Sequence, residues 1–140
     1  MNERLEQLKL LRQWIGKAEE DLKNAEHTLT LQEGCPVGTV CFHAQQCTEK
    51  YLKALLLFHT VFFPRMHDLV RLYNLIPPEF RPEIEMEALA VLNRYAVESR
   101  YPGDWEPVDR QEASDAVAIA RKVRCMVRRS LPENIVNEEL

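Results

Sequence analysis

The stretch Cys41 to Phe58, CFHAQQCTEKYLKALLLF, decides how this chain folds. It contains no glycine and no proline, and its apolar residues cover far more than one helical stripe. Val40, Ala44, Cys47, Tyr51, Ala54, Leu55 and Phe58 lie on one side, with Phe42, Leu52 and Leu56 beside them. A helix apolar over so much of its circumference belongs at the centre of a bundle or in a dimer interface. Thr39 to Phe62 is therefore predicted as a helix, broken by Pro64.

Outward from it, the pattern stays helical. Leu8, Leu11, Ile15, Ala18, Leu22, Ala25 and Leu29 recur at steps of three and four, which predicts a helix from Asn2 to Leu31, ended by Gly34 and Pro36. A short helix is expected over Asp68 to Leu75, stopped by Pro77 and Pro78. Another is expected over Pro82 to Val97, with Ile84, Ala88, Val91, Leu92 and Tyr95 inward. A loop holds Arg100-Tyr101-Pro102-Gly103-Asp104-Trp105. The last helix is expected over Val108 to Ser130, with the small-residue seam Ala113, Ala116, Ala120, Val123 and Val127. The stretch 132–140 reads as an acidic, frayed tail. The fold class expected is all-α, an antiparallel four- to five-helix up-and-down bundle, with 1–140 forming a single domain.

The chain has 140 residues, enough to bury a core without disulfide or metal staples. Its net charge of −4 argues against a general nucleic-acid coat. The 4 cysteines include no CxxC pair, and reduced thiols in a cytoplasmic protein are the expectation. The longest apolar run, Ala54 to Phe58, is too short to span a membrane, so no membrane contact is expected.

On the central helix, His43, Gln46, Lys50 and Lys53 are spaced three, four and three apart and share a face. An imidazole, an amide and two ammoniums can hold a phosphate or nucleotide. A solvated face with an ion pair from Glu49 to Lys53 accounts for the same residues. Cys41, His43 and Cys47 do not assemble the paired spacing of a zinc site, so no metal and no cofactor are expected. His67-Asp68 lacks the further ligands of a metal phosphohydrolase, and Asp68 suits a helix start. Arg121, Arg124 and Arg128, joined by Lys122 and Arg129, form a basic stripe. It suits a helix C-terminus, a phosphate-facing patch or a partner with an acidic surface.

Phe42-His43-Ala44-Gln45-Gln46-Cys47 and Glu49-Lys50-Tyr51-Leu52-Lys53-Ala54-Leu55 closely resemble the signature helix of the HEPN family. Ala18 to Ala25 resembles that family's first helix, His67-Asp68-Leu69 its HDL element, and Arg100-Tyr101-Pro102 its RYP element. The elements come in the family's order over residues 14 to 131. The resemblance implies a helical bundle, commonly a homodimer, in a prokaryotic two-gene setting with a minimal nucleotidyltransferase partner, sometimes as toxin and antitoxin. In the toxic members it implies a metal-independent ribonuclease whose Arg is followed four to six residues later by a His.

This chain departs there: none of His27, His43, His59 and His67 has such an Arg. The nearest analogues, Lys23 with His27 and Lys53 with His59, lack the planar guanidinium fork. The leading expectation is therefore a component that binds a nucleotide or a nucleotidyltransferase, without strong catalysis. His43, Gln46, Lys50, Lys53, His67, Asp68, Arg100 and Tyr101 are its expected contacts. One alternative is an RNA endonuclease with a diverged site that uses His43 or His67. Another is a module that only dimerises and docks.

Overall fold

The computed structural model describes residues 2–97 and 107–136. Six α-helices and one 3-10 turn make up the regular structure there: α1 (Asn2–Leu29), α2 (Val37–Phe58), α3 (Leu69–Leu75), the turn Pro78–Phe80, α4 (Met86–Asn93), α5 (Arg110–Ser130) and α6 (Glu133–Val136). The expected helical bundle is what these residues form.

Several starts and stops have a local cause. Helix α1 ends at Leu29, and Gly34 adopts the left-handed backbone (φ 64°) in the connection that follows. The Arg110 guanidinium, from the first turn of α5, takes the otherwise unpaired carbonyls of Leu29 and Leu31. Asp68 caps α3 by accepting from the main-chain N–H groups of Val70 and Arg71, at 3.0 and 3.3 Å. Asp109 caps α5 through the Glu112 N–H, at 2.8 Å.

Helix α2 is the axis of the molecule. Contacts of Gln7 with Leu57, Trp14 with Lys53 and Asp21 with Lys50 run in opposite senses along the two chains, so α1 and α2 are antiparallel. Glu26 meets Arg121 and Glu19 meets Arg124, so α5 also runs against α1 and therefore along α2. The short α3 and α4 provide the return. The core is contiguous. Leu11, Ala18 and Ala25 of α1, Val40, Ala44, Tyr51 and Leu55 of α2, and Ala113, Ala120 and Val127 of α5 are all fully buried. The alanine seam of α5 lets its backbone approach α2 closely.

Helix α2 ends at Phe58 and not at Phe62, and two further expectations need correction. The fourth helix covers Met86–Asn93, not 82–97, and its register places Leu89 inward while Val91 is 42% exposed. Pro82 and the extended residues after it delay the helix start, yet Ile84, Leu92 and Tyr95 are buried as expected and only Val91 leaves the inward face. The segment after Pro132 is not wholly a frayed tail. Residues 133–136 form α6, anchored by Ile135, which is buried. Residues 137–140 lie outside the described residues.

Candidate functional site

Two ion-pair centres occupy the face of α2 that carries the polar residues. In the first, Asp21 of α1 reaches across the helix seam. Its carboxylate pairs with His43 Nδ1 at 2.9 Å through one oxygen and with the Lys50 ammonium through the other. All three side chains are mostly buried. One ammonium thus meets one carboxylate, which leaves little net charge for an incoming anion.

The second centre is built on Glu49, which is 3% exposed. Burying a carboxylate is costly unless donors surround it. Lys53 Nζ lies 3.0 Å from one oxygen, Gln45 Nε2 3.3 Å from the other, and His67 Nδ1 3.1 Å from both. Lys53 is itself buried, with Nζ over the rings of Trp14 and Phe63 at 5.4 and 5.9 Å. Aromatic faces favour a cation there. His67 differs from its partners: its side chain is 64% exposed. Gln46 Nε2 donates to Gln45 Oε1 at 2.7 Å, so Gln46 borders this centre.

The expected contacts therefore separate. His43 and Lys50 converge on Asp21, while Lys53 and His67 converge on Glu49. Asp68 is held in structural work, because Oδ1 both caps α3 and accepts from Asn93 Nδ2 at 2.9 Å. Arg100 and Tyr101 lie outside the described residues. In the sequence Glu49 reads only as an ion-pair partner of Lys53, and Asp21 carries no evident role. A carboxylate on α1 opposite two cations on α2 is the available signal for Asp21.

The arginine stripe of α5 meets α1. Arg121 pairs with Glu26 at 2.5 Å, Arg124 with Glu19 at 2.5 Å, and Arg128 with Glu19 at 3.7 Å. The Tyr51 hydroxyl donates to Glu19, and Arg128 also takes the Val136 carbonyl at 3.1 Å. Partial burial pushes the Glu19 carboxyl up. Hydrogen bonds from Arg124 and Tyr51, with the Arg124 and Arg128 charges, outweigh it and hold the carboxyl below its ordinary value. Burial, and donation to Glu19, push the Tyr51 phenol upward. These arginines stitch helices together, which is the structural reading of the stripe. Among the described residues, no group of three or more His, Cys, Asp or Glu could hold a metal ion. No helix among them is long and apolar enough to cross a membrane.

A helical bundle with a charged α2 face and a His-Asp-Leu element at the start of α3 is the arrangement that the resemblance of the sequence to HEPN-domain proteins implies. The chain belongs to the HEPN family: the HEPN domain model matches residues 11–130. The crystal structure of TT1696 from Thermus thermophilus is similar, with a TM-score of 0.71 and 28% identity over 86% of this chain and 98% of that one. So is the crystal structure of ST0689, an archaeal HEPN homologue, with a TM-score of 0.65 and 25% identity over 84% of this chain and 94% of that one. No functionally curated protein matches the chain significantly.

Proposed function

We propose that this HEPN protein is the binding component of a prokaryotic two-gene, toxin–antitoxin-like system. It meets a nucleotide or a minimal nucleotidyltransferase partner on the polar face of α2, as a cytoplasmic homodimer without strong catalysis of its own. The observation that carries this reading is the stripe Thr39, His43, Gln46 and Lys50. It is half-buried on a helix whose other faces are sealed in the core. Two of its hydrogen-bonding groups, on His43 and Lys50, are already held in place by Asp21.

Because Asp21 neutralises Lys50, a phosphate must compete with it, and nucleotide affinity is expected to be weak. Isothermal titration with a panel of nucleotides tests this arm. Asp21→Asn releases the cation and is expected to tighten phosphate binding several-fold. No heat from wild type or variant at millimolar ligand sinks the small-molecule arm. Co-purification with a nucleotidyltransferase encoded beside this chain's gene tests the partner arm.

A second reading, a metal-independent RNA endonuclease with a diverged site, is favoured by one observation: the exposed His67 imidazole sits on a buried carboxylate. Labelled RNA incubated in EDTA with wild type and with His67→Ala decides it. Equal cleavage by both proteins clears His67 of a role.

A further inference from the structure

Glu49 has more donors than its charge requires. Lys53 neutralises it at 3.0 Å and Gln45 adds an amide N–H at 3.3 Å. A structural need for His67 would put that imidazole in the interior, where Lys53 is. Instead the ring is the one largely exposed member of the group. Among the described residues, its Nε2 has no hydrogen-bond partner.

His67 is also fixed at three points. Its ring is held by Glu49, and its main-chain carbonyl accepts from Gln45 Nε2 at 3.3 Å. The next residue, Asp68, is tied to the α3 N-terminus and to Asn93. Gln45 thus grips both the carboxylate and the histidine backbone, which sets the angle between them. A salt-bridged carboxylate only accepts, so the neutral imidazole carries its proton on Nδ1 and leaves the Nε2 lone pair toward solvent.

We propose that Glu49 is a positioning residue. It orients His67 and fixes its tautomer so that Nε2 acts as a proton acceptor for a hydroxyl-bearing substrate. Gln45 and Lys53 hold Glu49 in place. Resting on the endonuclease reading, the substrate is RNA. His67 Nε2 takes the proton of a ribose 2′-hydroxyl, and the 2′-oxygen attacks the adjacent phosphorus. The bond to the 5′-oxygen breaks, and that oxygen takes a proton from water. The products are a 2′,3′-cyclic phosphate and a 5′-hydroxyl end. Imidazolium then returns its proton to water, so the balance closes without a metal or a redox partner.

The test has two arms. Nitrogen-15 NMR of the full chain near neutral pH reads the His67 tautomer. The expected result is the Nδ1–H form in wild type, moving toward the Nε2–H form in Glu49→Gln while circular dichroism shows an unchanged helix signal. Glu49→Asp, with a shorter reach, is expected to restore part of the Nδ1–H form. An Nε2–H form in wild type overturns the proposal, as does a Glu49→Gln spectrum identical to wild type. If Glu49→Gln does not fold, Gln45→Ala serves instead and is expected to loosen the same preference.

The second arm measures RNA cleavage in EDTA. His67→Ala is expected to lose roughly 100-fold or more, the usual contribution of a positioned base. Glu49→Gln is expected to lose less, in parallel with its tautomer change. An Nδ1–H tautomer with no cleavage by wild type ends the endonuclease reading while upholding the positioning role of Glu49. Cleavage with an unfixed tautomer does the reverse.

Discussion

Glu19 shows how one side chain can gather three helices. It accepts from Tyr51 of α2 and pairs with Arg124 and Arg128 of α5. Its folded carboxyl sits below the ordinary value of 4.5, so the unfolded chain takes up a proton first as pH falls. The stability it contributes is fully present above about pH 4.5 and is lost as pH falls through the lower, folded value. In urea unfolding between pH 7 and 3, Glu19→Gln is expected to be less stable than wild type at neutral pH, with the gap narrowing below pH 4.5. A gap of constant size across that range would show that Glu19 stabilises by packing and not by charge. Glu19 and Tyr51 both lie in segments whose helical character is plain in the sequence, yet their pairing is not legible there. Residues 32 apart meet only through the register of α1 against α2.

Among the elements, helix spans and faces are the most legible part of the sequence. The α1 stripe from Leu11 to Ala25 and the α5 seam from Ala113 to Val127 are buried as periodicity predicts, because each helix is long enough for its period to dominate. The short α4 keeps Leu92 inward as expected but is half the expected length and turns Val91 outward, since eight residues carry only about two turns and its bounds rest on few periods. The candidate site is only half legible. Spacing puts His43, Gln46, Lys50 and Lys53 on one side of α2, but does not show the division between Asp21 and Glu49, which depends on residues from other elements. Asp68 reads as a helix-start residue and is one. Asp68→Ala removes the α3 cap and a partner of Asn93, and is expected to cost about 1–2 kcal/mol. A drop in the urea midpoint with an unchanged slope is the signature. No drop would assign the capping to water.

For the whole molecule, the sealing of α2 has a chemical readout. Burial pushes the Cys41 thiol up to about 12, and Cys47 is displaced in the same direction for the same reason. Both stay protonated and covered near neutral pH, whereas Cys125 is exposed. A thiol reagent added to the native protein is expected to label Cys125 promptly, and Cys41 and Cys47 only after denaturant. Mass spectrometry of the labelled peptides checks this. Prompt labelling of Cys47 would mean that α2 opens readily in the native state.

The same centrality of α2 has a consequence in time. Its partner α1 precedes it by a short connection, so a two-helix hairpin can form as soon as Phe58 has left the ribosome. Its other partner, α5, is complete only at Ser130. At roughly 5–20 residues per second, the flank of α2 that receives α5, including Tyr51, waits several seconds for its cover. During that interval the nascent chain carries a bare apolar flank, and chaperone demand should peak before the final helix emerges.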